Sequence, residues 1–187
     1  MTIPNFITFA RFLAVPAIIY AMLHGYDVFA FLLFLAAGVS DAVDGFIARQ
    51  FDQRSELGAW LDPLADKLLL VSVFVVLGLT GDLPDWLVIL VVTRDVLIVG
   101  AVVLASVMNQ PMEADPILVS KANTAAQIVL AATTLSALAF ALPLDGVTGW
   151  LIWIVAVLTT VSAASYFRVW MRHMGVAGRS GDGRDGP

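Results

Sequence analysis

The stretch DAVDGFIARQFDQRSELGAWLDPLAD, residues 41–66, joins two long apolar segments and carries four aspartates inside them. Asp41 and Asp44 lie near the end of the first segment, and Asp62 and Asp66 near the start of the second. Side chains three or four positions apart share one face of a helix, so each pair projects from one side. The short connection predicts that the two helices are antiparallel neighbours. Because carboxylates inside apolar helices are costly, the stretch predicts a functional site within a helical fold.

The composition of the whole chain indicates a protein that lies in a lipid bilayer. Of its 187 residues, 60% are hydrophobic and 13% are charged, and the mean hydropathy is +0.91. A soluble domain carries about 25% charged residues, so this chain has too few to cover a water-facing surface. The net charge of −5 argues against a nucleic-acid partner. The absence of cysteine excludes disulfides, thiolate metal sites and a cysteine nucleophile.

Six apolar segments are separated by short gaps that contain Gly, Pro, Asn or Asp. Each has about the 20 residues that a helix needs to cross the hydrocarbon layer, and none alternates as barrel strands do. We therefore expect an all-α integral membrane protein with six transmembrane helices. The predicted spans are Phe6–Leu23, Val28–Ala48, Leu57–Leu79, Trp86–Val107, Ala122–Ala141 and Thr148–Trp170.

The basic residues predict the orientation of these helices. All ten Lys and Arg residues except Arg94 fall near one set of helix ends. By the positive-inside rule, both termini lie in the cytoplasm, and the aspartates face it. We expect a six-helix domain over residues 1–174 in a bacterial-type cytoplasmic (inner) membrane. The Gly-rich, charged residues 175–187 are expected to form a disordered cytoplasmic tail.

The four aspartates predict a metal site. If the two helices are antiparallel and the turn lies midway between them, Asp44 is level with Asp62 along the helix axes, and Asp41 is level with Asp66. Four ionised carboxylates at one place require either protonation or bound cations. Two divalent cations would balance them, and ligands that are all oxygen favour Mg²⁺, Mn²⁺ or Ca²⁺. A two-metal site suits displacement at phosphorus, because it stabilises the attacking and the leaving oxygen.

Small residues and an arginine accompany the carboxylates. Gly45, Ala48 and Gly58 lie near these helix faces, and their lack of bulk would let a ligand approach closely. Arg49 lies about one turn from Asp44 toward the cytoplasm, where it could bind a phosphate with two hydrogen bonds. An anchoring role at the membrane surface is the alternative for Arg49. Together these residues predict that the ligand contains phosphate.

In these residues the chain resembles the CDP-alcohol phosphatidyltransferase family. Its signature reads D-x-x-D-G-x-x-A-R, eight residues, then G-x-x-x-D-x-x-x-D, and all eight defining positions are present here with the same gap. The six-span layout is also that of the family, so the resemblance extends over nearly the whole chain except the tail.

The resemblance implies transfer of a phosphatidyl group from CDP-diacylglycerol to an alcohol, with release of CMP. It implies that two divalent cations, Mg²⁺ or Mn²⁺, are bound by Asp41, Asp44, Asp62 and Asp66. It further implies that Asp66 is the general base on the acceptor hydroxyl. The pocket for the CDP-lipid would be formed by Gly45, Ala48, Arg49 and Gly58.

Two further stretches bear on the acceptor alcohol. Thr93-Arg94-Asp95-Val96 and Ser120-Lys121-Ala-Asn123-Thr124 resemble the eukaryotic-type cardiolipin synthases of this family. The resemblance implies phosphatidylglycerol as acceptor and cardiolipin as product. The alternative is a phosphatidylglycerophosphate synthase that uses glycerol 3-phosphate. Both acceptors carry a phosphate, so Arg94 and Lys121 are candidate acceptor contacts.

Other interpretations remain for these cations. Arg94 could instead neutralise the carboxylate cluster, and Asp95 is not expected to pair with it, because adjacent residues do not face each other on a helix. Lys121 could extend to the membrane interface. Lys67 is expected to anchor at lipid headgroups rather than take part in the chemistry.

Three questions about class and assembly stay open. A small transporter or cation channel also places carboxylates in membrane spans. A non-catalytic lipid-binding relative is a further alternative. The small-residue run Ser162–Ser165 is compatible with a close helix contact or with a homodimer interface.

Overall fold

The computed structural model describes the backbone of residues 3–51, 56–107 and 118–177, and the side chains of residues 11–40, 64–100 and 118–167. Within these ranges the chain is helical, with no strand. The helices are α1 (Ile3–Leu23), α2 (Asp27–Phe51), α3 (Glu56–Thr80), α4 (Asp85–Val107), α5 (Leu118–Phe140) and α6 (Asp145–Ala177). The all-α prediction is confirmed.

The helix bounds agree with the predicted segments to within a few residues, except at the end of α6. That helix continues to Ala177 and so includes the first residues of the predicted tail. The rest of the predicted tail, residues 178–187, lies outside the described residues.

Glycines end two of the helices. Gly25 follows α1 with a φ of 72°, and Gly81 follows α3 with a φ of 84°. This left-handed conformation is accessible to glycine without the steric cost that a Cβ brings. Both glycines lie in gaps that the sequence predicts to be helix breaks. His24, which precedes Gly25, is exposed.

The helices pack as a closed ring in the order α1, α2, α5, α6, α4 and α3, with α3 also in contact with α5 across the ring. Apolar side chains from all six helices form one core. Its largest fully buried members include Ile18, Phe74, Leu77, Leu87, Leu130 and Val155.

The predicted hairpin contact between α2 and α3 is not present in the part of the two helices whose contacts the structure describes. There α1 packs against both helices instead. The buried face of α1, which includes Val15, Ile18, Ala21 and Met22, provides the apolar surface for this packing. The aspartate-bearing residues 41–63 lie outside the described side chains, so the predicted pairing of carboxylates across the hairpin stays a prediction.

Much of the apolar surface of these helices faces outward. Leu79 is 77% exposed, Ile89 65% and Trp150 76%. By length and composition, two described segments could cross a bilayer, Leu118–Phe140 and Asp145–Phe167. The apolar segments Arg11–Leu23 and Asp27–Ser40 are shorter.

Helices α3 and α4 approach closely at Gly78, which provides a stability test. A Cβ built at Gly78 would lie 2.9 Å from Cγ2 of Val88, whereas one at Gly38 would meet nothing within 4 Å. We expect Gly78→Ala to lower the thermal unfolding midpoint in detergent, because the branched Val88 cannot move without disturbing the interface. Gly38→Ala is the matched control and should leave the midpoint unchanged or raise it, since alanine favours helix. Equal midpoints for the two variants would contradict the close contact.

Candidate active site

The four predicted catalytic aspartates lie on continuous helices. Helix α2 runs through Asp41 and Asp44, and α3 runs through Asp62 and Asp66. The spacings of three and four residues therefore place each pair on one helical face, as predicted. Asp66 is the member whose side chain the structure describes. The side chains of the other three, and of the predicted CDP-lipid pocket (Gly45, Ala48, Arg49, Gly58), lie outside the described residues, so their roles stay predictions.

Asp66 forms an ion pair with Arg11 of α1. Arg11 Nη1 donates to Asp66 Oδ1 over 2.6 Å. The Arg11 side chain is 3% exposed, but the Asp66 side chain is 43% exposed. The arginine therefore binds one carboxylate oxygen of a side chain that is partly exposed. This contact also joins α1 to α3 at the predicted site.

Lys67, the next residue, forms a second ion pair with α4. Its Nζ donates to both carboxylate oxygens of Asp95, over 2.9 and 2.8 Å. The Lys67 side chain is 29% exposed and the Asp95 side chain 4%. Two bonds to one carboxylate fix the ammonium group in a single place.

Arg94 is buried at the centre of a four-helix contact. Its Nη1 donates to Asp95 Oδ1 over 2.6 Å, and its Nη2 donates to Ser120 Oγ on α5 over 2.6 Å. Its Nε and Nη2 donate to Ser162 Oγ on α6 over 3.2 and 2.5 Å. The guanidinium carbon lies 5.9 Å from the centre of the Tyr166 ring, within cation–π range. Since Asp95 also binds Lys67 of α3, these polar bonds connect α3, α4, α5 and α6.

Two expectations about these cations are wrong. Asp95 does pair with Arg94, because the long arginine side chain can bend back to a neighbouring carboxylate that the helix geometry alone would not present to it. Lys67 does not extend to lipid headgroups, because Asp95 binds it inside the helix bundle.

The polar contacts continue along α5. Asn123 Oδ1 accepts a hydrogen bond from Thr159 Oγ1 over 2.9 Å, and both side chains are fully buried. Ser162, one turn from Thr159, is 1% exposed and bonded to Arg94. The small-residue run of α6 therefore makes a helix contact within the chain, and homodimerisation stays a prediction.

Lys121, the other candidate acceptor contact, is exposed at the start of α5. Its neighbour Ser120 accepts a hydrogen bond from Arg94. The structure thus places the two cations near the same helix end, with Arg94 buried and Lys121 accessible.

The chemistry of the donor set fits divalent cations, but its geometry is described at Asp66 alone. Among the side chains that the structure describes, no group of three His, Cys, Asp or Glu comes together. Three of the four predicted ligands lie outside that part of the chain. The side chain of Asp66 is partly exposed. The carboxylate oxygens of the four aspartates are the ligand type that Mg²⁺ and Mn²⁺ prefer.

Sequence reasoning missed the partners of these charged residues. Arg11 is a lone cation in the apolar helix α1, and that was the available signal that it has an acidic partner. Ser120 and Ser162 carried no such signal, because serines are common in close helix contacts.

Comparison with known proteins identifies the family. The sequence model described as CDP-alcohol phosphatidyltransferase matches residues 1–161. The cardiolipin synthase (CMP-forming) / mitochondrial hydrolase fusion protein of Schizosaccharomyces pombe is 36% identical over 180 residues. The cardiolipin synthase (CMP-forming) of Homo sapiens is 33% identical over 183 residues. A protein of Mycobacterium tuberculosis named probable phosphatidylglycerophosphate synthase is 36% identical over 97 residues.

The yeast and human matches cover most of this chain, and all three matches cover only part of the relatives. The yeast match covers 88% of this chain and 30% of that protein, and the human match covers 89% and 60%. The mycobacterial match covers 49% of this chain and 46% of that protein. The family match spans the signature aspartates, Lys67, Arg94 and Lys121. The chain belongs to the CDP-alcohol phosphatidyltransferase family.

Proposed function

We propose that this protein is a membrane enzyme that transfers a phosphatidyl group from CDP-diacylglycerol to phosphatidylglycerol, giving cardiolipin and CMP. The observation that carries the proposal is the complete eight-position signature from Asp41 to Asp66 within a chain that matches the family over residues 1–161. The names of the yeast and human relatives support the choice of acceptor.

In the proposed reaction, the acceptor hydroxyl oxygen attacks the phosphorus that carries the diacylglycerol. The new oxygen–phosphorus bond forms as the bond to the CMP oxygen breaks, and CMP leaves with the bonding electron pair. Asp66 takes the hydroxyl proton, a role that needs an accessible carboxylate near the acceptor. The 43% exposure of its side chain and the ion pair with Arg11 Nη1, which orients the carboxylate, support this assignment.

Asp41, Asp44, Asp62 and Asp66 would hold two divalent cations, Mg²⁺ or Mn²⁺. When bound, the cations would stabilise negative charge on the phosphates of the reacting lipid. Gly45, Ala48 and Gly58 would leave room for the cytidine diphosphate, and Arg49 would bind one of its phosphates.

The proposed placement is a six-span protein of a bacterial-type inner membrane, with both termini and the active site facing the cytoplasm. The apolar exterior supports it, because water-soluble monomers rarely expose large contiguous apolar patches. The distribution of Lys and Arg supports the orientation. Lipid tails could then stay in the bilayer while the headgroups reach the aspartates.

The acceptor phosphate is proposed to bind at the cations of α4 and α5. Exposure of Lys121 supports direct contact. Direct contact with Arg94 stays a prediction, since this buried side chain already makes four hydrogen bonds to Asp95, Ser120 and Ser162 within the bundle. The second candidate function, phosphatidylglycerophosphate synthesis, needs the same cations, and the mycobacterial relative supports it.

A thin-layer assay of the purified protein distinguishes the two acceptors. The protein receives CDP-diacylglycerol and Mn²⁺ or Mg²⁺, with radiolabelled phosphatidylglycerol in one reaction and radiolabelled glycerol 3-phosphate in the other. We expect labelled cardiolipin in the first reaction and no product in the second. Labelled phosphatidylglycerophosphate in the second reaction alone would replace the proposed acceptor but keep the reaction type.

A transporter or channel is disfavoured by the same signature. Ion transport does not require Gly45, Ala48, Arg49 and Gly58 around the carboxylates, whereas a CDP-lipid pocket uses their small size and charge. Release of CMP in the thin-layer assay separates an enzyme from a transporter and from a non-catalytic lipid-binding protein.

A further inference from the structure

We propose that Lys67 of α3 binds the acceptor phosphate in addition to Lys121, and that Asp95 and Arg94 are positioning residues that act through Lys67. This inference rests on the proposed function, because it assigns one part of that site. It assigns a substrate-binding role to a lysine that the signature does not include.

The charges of Lys67, Arg94 and Asp95 do not cancel. Lys67 and Arg94 share the single carboxylate of Asp95, so the three side chains carry a net charge of +1. Asp95 and Arg94 are 4% and 2% exposed, in a bundle with an apolar exterior. Among the described side chains no other carboxylate contacts Lys67 or Arg94, so a bound anion would offset this charge.

Lys67 is where an anion can reach this charge. The Arg94 side chain is 2% exposed, and it makes four hydrogen bonds to Asp95, Ser120 and Ser162. The Lys67 side chain is 29% exposed. Its ammonium group has three N–H donors, and Asp95 is the partner that accepts from it, so the group can also bind a phosphate oxygen.

The position of Lys67 fits the acceptor rather than a distant surface site. It follows Asp66 directly in α3, so the two backbones are adjacent, while the Asp66 side chain pairs with α1 and the Lys67 side chain with α4. At about 1.5 Å per residue, Lys67 and Asp95 lie roughly 15–20 Å from the α3–α4 turn, inside the bundle. An acceptor held there would have its hydroxyl near the carboxylate that takes the proton.

The contacts around Lys67 hold it in place before the substrate binds. Asp95 accepts from Lys67 with both oxygens and from Arg94 with one of them. Arg94 in turn binds serines of α5 and α6. A cation that is already fixed loses less side-chain entropy on binding than a free surface lysine.

The anion could come from either substrate, and kinetics distinguish the two. One source is the phosphate of the acceptor lipid, and the other is the pyrophosphate of CDP-diacylglycerol. We expect Lys67→Gln to raise KM for phosphatidylglycerol roughly tenfold or more, because a charge-assisted bond to phosphate is lost. KM for CDP-diacylglycerol should stay within about twofold of wild type. Lys67→Arg should restore much of the lost affinity, because it keeps the charge.

The positioning role is tested by a double-mutant cycle. Asp95→Asn should raise KM for phosphatidylglycerol by less than Lys67→Gln does. Adding it to Lys67→Gln should cause little further increase, because residues that act through one contact are not additive. Arg184→Gln, which removes a cation from the C-terminal segment, is the control and should leave both KM values unchanged.

Binding of radiolabelled phosphatidylglycerol in detergent micelles, without CDP-diacylglycerol, provides a readout that does not depend on turnover. Wild type should bind the lipid, and Lys67→Gln should bind it at least several-fold more weakly. Equal binding by the two proteins would overturn the inference, as would a KM increase confined to CDP-diacylglycerol. A wild type that uses neither acceptor would refute the proposed function separately, and the binding comparison would still decide the role of Lys67.

Discussion

Replacing Asp66 with Asn is expected to reduce phosphatidyl transfer by at least about a hundredfold, the usual minimum effect of losing a general base. Asparagine has almost the same size and can still accept a hydrogen bond from Arg11 Nη1, so the contact between α1 and α3 is expected to survive. It cannot take the proton of the acceptor hydroxyl. The measurement is CMP release from CDP-diacylglycerol in the presence of phosphatidylglycerol, together with binding of the CDP-lipid to the purified variant.

Two controls separate loss of the base from loss of structure. Asp145→Asn changes an exposed carboxylate at the start of α6 and should leave transfer unchanged. Arg11→Gln removes the ion pair with Asp66 but keeps the base, so it should reduce transfer less than Asp66→Asn does. Near-normal turnover by Asp66→Asn would exclude it as the general base, whatever the other variants do.

Replacing Arg94 with Met is expected to lower stability by about 3–5 kcal/mol, because one partner of a buried ion pair is lost and Asp95 stays buried. The change also leaves Ser120 and Ser162 without the donor that connects them to α4. Lys67 remains as a partner for Asp95, which places the expected loss toward the lower end of that range. The measurement is the thermal unfolding midpoint of the purified protein in detergent.

A second variant shows whether the buried charge causes this loss. Arg94→Met combined with Asp95→Asn should recover part of the stability, because the buried carboxylate is then neutral. Lys121→Met removes an exposed cation and should change the midpoint little. A midpoint for Arg94→Met equal to that of wild type would contradict the central place of this arginine in the bundle.

The helices could be predicted from the sequence because their signal is strong and local. Long apolar runs that are interrupted at His24-Gly25 and at Thr80-Gly81-Asp82 predict helices separated by turns. The end of α6 was missed because Gly175 and the charged residues after it resemble a disordered tail in composition. The packing of α1 against both α2 and α3 could not be predicted. A short loop indicates that the two helices it joins lie near each other, but a third helix can still pack between them.

The site could be predicted where a residue carries its own signal and not where it depends on a partner. The aspartates stand out because carboxylates are costly in apolar helices. The pairing of Asp66 with Arg11 joins residues 55 positions apart, and no local pattern encodes it. The pairing of Arg94 with Asp95 was rejected from helix geometry, although the reach of the arginine side chain permits it. The role of Lys67 depends on Asp95, which is 28 positions away.

The most direct test of the proposed phosphatidyl transfer measures the products that the purified protein forms from CDP-diacylglycerol and phosphatidylglycerol with Mn²⁺. We expect cardiolipin and CMP to appear in equal amounts, the formation of both to require phosphatidylglycerol, and a metal chelator to abolish both. Absence of CMP release from an intact, folded protein with any alcohol tested would contradict phosphatidyl transfer as its function.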